Sequence, residues 1–267
     1  MKTKLILLCC LFAMNSLAQD QERIPLKKKA RKPPALYETV NHVAKINLTS
    51  FMFRTFALQY EKKISRSKTF ALGLIYRPNV STPFYNIILK DTNFAFSKET
   101  RYMMSSSKYT TFMLTPEFRF YLRKKAPRGL YLAPFLRYKF EKETANYLYQ
   151  ESGISSVLRV GKYNIVNHTI GAGVLFGIQI LTKKKVTIDF WFLGPWAGGS
   201  FAKRYSNINT SNINIYDKAS VEATIEGYDR KIDSKHSLQW DNKGFSNKQN
   251  NFSLGLRMFG INIGYAF

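Results

Sequence analysis

The chain reads as an all-β protein: an eight-stranded, antiparallel, up-and-down transmembrane β-barrel with long extracellular loops and short periplasmic turns. Three observations predict it. Eight short stretches place bulky apolar residues on one face and small, polar or charged residues on the other. The connections between them alternate between short and long. An export signal opens the chain, and no later apolar run reaches the 18 or so residues of a helical span.

The signal is predicted over residues 1–18. Lys2 and Lys4 precede the apolar run Leu5–Met14, and Ser16-Leu17-Ala18 supplies small residues for cleavage before Gln19. Both cysteines, Cys9 and Cys10, fall inside the apolar run. Leu7-Leu8 is unlike the small residues that precede an acylated cysteine, so the mature chain is read as cysteine-free, without disulfides or thiolate metal sites. Residues 19–40 hold Lys27-Lys28-Lys29, Arg31-Lys32 and Pro33-Pro34, a basic periplasmic leader. The barrel domain is predicted over 41–267.

Strand one, His42–Met52, sets Ala44, Ile46 and Leu48 against Lys45, Asn47 and Thr49. A tight turn at Phe53–Arg54 leads to strand two, Thr55–Lys62, with Phe56, Leu58 and Tyr60 against Ala57, Gln59 and Glu61. Strand three, Thr69–Arg77, sets Phe70, Leu72, Leu74 and Tyr76 against Ala71 and Gly73. Strand four, Thr111–Leu122, alternates most cleanly: Phe112, Leu114, Pro116, Phe118, Phe120 and Leu122 against Thr111, Thr115, Glu117 and Arg119.

Strand five, Leu130–Glu141, sets Leu130, Leu132, Leu136, Tyr138 and Phe140 against Ala133, Arg137 and Lys139. Strand six, Asn164–Ile180, sets Ile170, Val174, Phe176 and Ile178 against Thr169, Gly171, Gly173 and Gln179. Strand seven, Val186–Trp196, sets Ile188, Phe190 and Phe192 against Thr187, Asp189 and Trp191. Strand eight, Phe259–Phe267, has opposite parity to Phe252, Leu254 and Leu256 upstream, which predicts a bulge near Met258–Phe259. Two further strands in the long connections would make ten.

An eight-strand bore is only just wide enough for side chains. The Phe- and Leu-rich face does not fit there, and the Gly-, Ala- and Thr-rich face does. The apolar face therefore points outward to lipid, the reverse of a soluble lipocalin-like barrel. The predicted lumen charge network is Lys45, Glu61, Glu117, Arg119, Arg137, Lys139 and Asp189, with Arg77 as a further member. Opposite charges in a narrow bore pair and plug it.

The chain carries 41 Lys and Arg against 17 Asp and Glu, a net charge of +24. Such a basic chain suggests nucleic acid as a partner, but the export signal argues against that and no nucleic-acid motif is present; the charge is concentrated instead in three short turns. Lys62, Lys63, Arg66, Lys68, Arg123, Lys124, Lys125, Arg128, Lys183, Lys184 and Lys185 form a predicted periplasmic rim facing lipid phosphates or an acidic periplasmic partner. The partners expected are outer-membrane lipids, lipopolysaccharide and the barrel-assembly machinery, around a monomer. No cofactor or metal is expected.

Two stretches carry a family resemblance. Lys45-Ile46-Asn47-Leu48 with Phe56-Ala57-Leu58-Gln59-Tyr60-Glu61-Lys62 is one. The other runs from Thr115-Pro116-Glu117-Phe118-Arg119-Phe120-Tyr121-Leu122 through Lys125-Ala126-Pro127-Arg128-Gly129-Leu130-Tyr131 to Ala133-Pro134-Phe135-Leu136-Arg137-Tyr138. Across strands one to five the chain resembles a family of uncharacterised outer-membrane β-barrels from Bacteroidota-type bacteria. The resemblance implies an outer-membrane location and supplies no activity. The terminal Tyr265 and Phe267 also resemble the assembly signal of such barrels.

The leading reading is a non-enzymatic role in surface binding, adhesion or envelope integrity. A lipid-modifying enzyme is the first alternative, because eight-stranded outer-membrane enzymes use a His with Ser or acid partners. Only His42, His168 and His236 offer an imidazole here. His236 has Asp233, Ser234 and Ser237 as neighbours, and His168 sits toward the outer end of strand six. The second alternative is an accessory to secretion or envelope assembly through the basic rim.

Overall fold

The structure is a computed structural model and describes residues 39–81, 97–123, 125–151, 157–208, 210, 213, 215–229 and 238–267. Contacts divide the chain into units Met1–Pro34 and Ala35–Phe267, and the first lies wholly outside the described residues. The predicted signal, nearly all of the leader, Lys124 and His236 lie outside them too.

Antiparallel strands close into a ring. They are β1 (His42–Asn47), β2 (Phe56–Lys63), β3 (Lys68–Ser81), β4 (Lys108–Tyr121), β5 (Gly129–Glu151), β6 (Val157–Leu181), β7 (Val186–Asn207), β8 (Gln239–Asp241), β9 (Gly244–Arg257) and β10 (Gly260–Ala266). Each strand from β1 to β6 pairs with the next. β9 and β10 both pair with β7, and β10 pairs with β1. The ring thus has eight positions, the eighth shared by β9 and β10, while the three-residue β8 pairs with the start of β9.

The shared position explains the parity conflict in the sequence. Between the pairs Gly194↔Arg257 and Trp191↔Gly260, neither Phe192 nor Leu193 has a partner in β9 or β10. Across the β6 ladder, Phe176 pairs with Leu193 and Gly177 with Trp191, so Phe192 is the extra residue. Inward positions move from odd to even numbers at this point in β7, and Met258–Phe259 makes the matching step in its partner. Both sides therefore keep their apolar residues outward.

Burial follows that sort. Phe56, Leu58 and Leu136 are 58%, 59% and 62% exposed, whereas Glu61, Arg119 and Asp189 are 0% exposed.

Strand one is shorter than its alternation predicts. Leu48–Met52 forms a helical turn, α1, because the Asn47 side chain accepts the Ser50 N–H at 2.6 Å and caps it. Arg54, at φ 53°, then turns the chain into β2 in place of a tight hairpin. The predicted long loop over 142–163 is instead mostly ladder: β5 and β6 stay in register from Lys142↔Val166 to Glu151↔Val157. β7 and β9 likewise run on to Asn207↔Gly244 inside the predicted last loop.

These extensions have a physical reason. Their inward residues pack on two helices, α2 (Lys98–Ser106) and α3 (Ile215–Tyr228). Met103, Ala145, Tyr147, Tyr163, Val221, Ile225 and Phe245 form the apolar cluster at this long-connection end. Ile208 and Ile213, between β7 and α3, are also buried in it. Ser97 caps α2 by accepting the Thr100 N–H at 3.1 Å.

Candidate functional site

The candidate site is the bore, described from its short-turn end upward. The three short turns lie together at that end. The Ala126 N–H donates to the Arg66 carbonyl at 2.9 Å, the Tyr121 N–H to the Ser67 carbonyl at 2.7 Å, and the Ala266 N–H to the Lys185 carbonyl at 2.8 Å. Lys62, Arg66, Lys68, Arg123, Lys125, Arg128, Lys183 and Lys184 are exposed there, and Lys63 and Lys185 are half-buried. Val40, Val43, Leu181 and Ala266 form an apolar floor beneath them. Phe267 completes the closure: its carbonyl accepts from the Asn41 and His42 N–H groups at 3.2 and 2.9 Å. The Tyr265 and Phe267 side chains point outward, 54% and 52% exposed.

Directly above lies the charge network. Inward positions near the short-turn ends of β1, β2, β4, β6 and β7 bring long polar side chains to the axis. Lys45 Nζ donates to Glu61 Oε2 at 2.5 Å, Gln179 Oε1 at 2.6 Å and Asp189 Oδ2 at 2.9 Å. Arg119 is held as a fork. Its Nε and Nη2 donate to Glu117 Oε2 at 3.0 and 2.7 Å, Nη1 to Asp189 Oδ2 at 2.8 Å, and Nη2 to Gln59 Oε1 at 2.9 Å.

Phenols complete the carboxylates' bonding. The Tyr121 hydroxyl donates to Glu61 Oε1 and the Tyr131 hydroxyl to Asp189 Oδ1, both at 2.7 Å. The Arg119 guanidinium also lies over the Tyr131 ring at 4.5 Å. Arg257 enters from β9 and pairs with Glu117. Lys45, Arg119 and Arg257 thereby face Glu61, Glu117 and Asp189, equal numbers of opposite charges. Such a cluster, buried and multiply bonded, fills this level of the bore.

The structure thus brings together Lys45, Glu61, Glu117, Arg119 and Asp189. Arg137 stands one level higher, its guanidinium 5.2 Å from the Phe135 ring and 5.9 Å from Trp196. Lys139 does not join. It is two residues further along β5 and pairs with Glu141 at 2.7 Å, in a half-exposed contact. Arg77 is also apart: it donates to the Ser81 carbonyl at 3.2 Å and lies over the Tyr109 ring.

Sequence reading missed Tyr121, Tyr131, Arg204 and Arg257. Tyr121 and Tyr131 share the odd parity of the residues already placed inward, so the signal was present. Arg204 and Arg257 lie beyond the parity step in β7 and β9, where simple alternation from the nearest predicted strand fails.

At the long-connection end a cavity of about 340 Å³ lies between the wall and α2 and α3. Glu141, Glu143, Asn167, Arg204, Tyr228 and Asp229 are among its lining. Arg204 Nε pairs with Asp229 Oδ2 at 2.6 Å and its Nη1 donates to Gln249 Oε1 at 3.0 Å. The Tyr228 hydroxyl donates to Glu143. Glu143 lies beyond the strand predicted over Leu130–Glu141, in the extension that packs beneath the helices, and burial raises its carboxyl above the ordinary range. Burial also raises the Tyr228 phenol. The result is a chamber of mixed polar and apolar lining, with hydrogen-bonding groups and room for a small ligand.

His168 faces the outer side, its Nδ1 2.9 Å from the Tyr138 hydroxyl and its ring 5.2 Å from Phe140. His42 lies between the Tyr60 and Phe267 rings, its Nδ1 2.6 Å from the Tyr60 hydroxyl. Among the described residues no group of three metal-ligating side chains is assembled.

No protein-family model matches the chain, and no curated protein does. Among solved structures the chain is similar to CarO2 of Acinetobacter baumannii, at 11% identity and a TM-score of 0.34, over 85% of this chain and 98% of that one. It is also similar to a major outer membrane protein from Thermus thermophilus, at 11% identity and a TM-score of 0.38, again over 85% of this chain and 98% of that one. Both likenesses are distant.

Proposed function

We propose that this chain is an outer-membrane barrel that does not conduct, and that its work is non-enzymatic binding at the cell surface or support of the envelope. The observation that carries the reading is the inverted burial. Exposed Phe, Leu and Ile surround a bore in which the plug residues Lys45, Glu61, Glu117, Arg119 and Asp189 are buried. Hydrocarbon is the medium in which that arrangement is stable, and a closed ring is the β-structure that satisfies its backbone there. The short turns then face the periplasm and the helical cap faces outward. The chamber beneath the cap is the ligand-sized space on the outer side.

The test is expression in a Gram-negative host, followed by fractionation and planar-bilayer recording. The reading predicts outer-membrane recovery, heat-modifiable migration and no channel steps. Recovery as a soluble protein, or steady conductance, overturns it.

A second reading has its own observation: the exposed Lys and Arg of the three short turns lie together at one end. They suit contact with lipid phosphates or an acidic periplasmic partner. Replacing Lys62, Lys68, Lys125, Lys183 and Lys184 with Gln should then reduce association with anionic vesicles. Unchanged association removes this reading.

A further inference from the structure

The β9–β10 break leaves a structure that the plug does not use. A cavity of about 200 Å³ reaches from the bore to the outer face at this point. Ala57, Ile75, Met113, Trp191 and Arg137 line it from within, and Met258 and Phe259 from the outer side, where they are 69% and 55% exposed. Beside it the wall is low. β1 ends at Asn47 and α1 follows, with Phe51, Met52 and Phe53 exposed. Among the described residues, β9 from Asn247 to Arg257 has a ladder partner on its β7 side alone. Among the described residues the bore is therefore open sideways at the level of the apolar belt.

The cavity holds one cation too many. Glu117 is already committed: Arg257 takes Oε1, while Arg119 and the Gln59 amide take Oε2. Glu61 and Asp189 are bonded to Lys45, Arg119 and the two phenols. Arg137 is left with ring contacts, and among the described residues its buried Nε has no hydrogen-bond partner. A guanidinium held in an apolar cavity with an unbonded N–H is a site for an anion.

We propose that this cavity binds an anionic amphiphile from the membrane through its head group and one acyl chain. Its carboxylate or phosphate sits on Arg137, and its methylene chain lies against Met113, Ile75, Met258 and Phe259. The anion supplies the charge that the bore lacks, and the chain covers the low wall beside α1. The proposal rests on the reading that the outer face meets lipid.

The test uses the chain's own fluorophores. Trp191 lines the cavity and is one of three tryptophans. The full chain is placed in phosphatidylcholine nanodiscs and titrated with dibromostearate, and separately prepared with brominated phosphatidylglycerol or brominated phosphatidylcholine. Saturable quenching by dibromostearate, or quenching by the anionic lipid above that by phosphatidylcholine, supports the site and tells a free acid from a lipid headgroup. Arg137→Gln should weaken apparent affinity roughly ten- to a hundredfold, and Arg137→Lys should retain part of it. Ala57→Leu fills the cavity without touching a charge and should abolish the saturable phase. Equal quenching in wild type and Arg137→Gln, or no excess quenching by either anion, overturns the proposal. Failure to enter the discs at all would instead overturn the membrane reading.

Discussion

Trp191 and Met258 are joined across a break in the barrel wall: the indole N–H donates to the Met258 carbonyl at 2.8 Å. The break leaves that carbonyl without a ladder partner, and in an apolar medium an unbonded carbonyl is costly. The same indole lies over Gly260, where an added Cβ would collide with Trp191 Cε2. Trp191→Phe should therefore lower unfolding stability by roughly 1–3 kcal/mol, read as a lower urea midpoint of heat-modifiable migration. Gly260→Val should block assembly more severely. Wild-type midpoints for both would show that the indole bond and the close packing are dispensable.

Arg119 supports the plug through several bonds at once, so its loss should exceed that of an ordinary polar contact. Arg119→Met leaves Glu117 and Asp189 short of a cation in a sealed bore, a cost of roughly 3–5 kcal/mol. Arg119→Lys should recover little, because one ammonium cannot reproduce the fork that spans Glu117, Asp189 and Gln59. Urea titration of the three proteins checks the order: wild type well above both variants.

Glu143 offers a pH-dependent test. Burial raises its carboxyl, so the folded state holds that proton more tightly than the unfolded chain does. The folded state therefore loses stability as pH rises and the group must ionise in place. Glu143→Gln removes this cost and keeps an acceptor for Tyr228. Its thermal midpoint should gain on wild type more at pH 8 than at pH 4, and a larger gain at pH 4 would reverse the sign.

The cap and the wall should separate. Ile225 is buried against the apolar cluster at the long-connection end, so Ile225→Ala should cost roughly 2–5 kcal/mol locally. Limited trypsin digestion should then cut at Lys218 sooner, while the barrel keeps its heat-modifiable migration. Loss of that migration in the variant would mean that cap and wall fold as one unit.

Alternation alone placed most of the wall, because a strand with one face outward and the other in a crowded bore sorts its side chains with period two. Thr111–Leu122 is legible for that reason, and so is the parity step at Met258–Phe259. What alternation missed follows other physics. Asn47 converts the end of strand one into a capped helical turn, a local hydrogen bond invisible to a period-two pattern. The β5–β6 extension, with Tyr147 and Tyr163 inward, resembles a polar loop in sequence because both of its faces carry mixed residues. Its stability comes from α2 and α3, which are distant in the chain. Five of the plug's six charges were readable as inward, but their partners were not, and Arg257 was not read at all. Pairing depends on the register of strands far apart, and Lys139 differs from Arg137 only by a step along β5.

Spin-label accessibility in lipid vesicles tests whether the apolar face meets hydrocarbon. Single nitroxides at Leu58, Leu74, Leu136 and Phe176 should collide readily with dissolved oxygen and poorly with a water-soluble nickel chelate. Labels at Lys68 and Lys183 on the turns should do the opposite. Strong nickel collision at the four apolar positions, with little oxygen enrichment, would place that face in water and contradict the barrel's orientation.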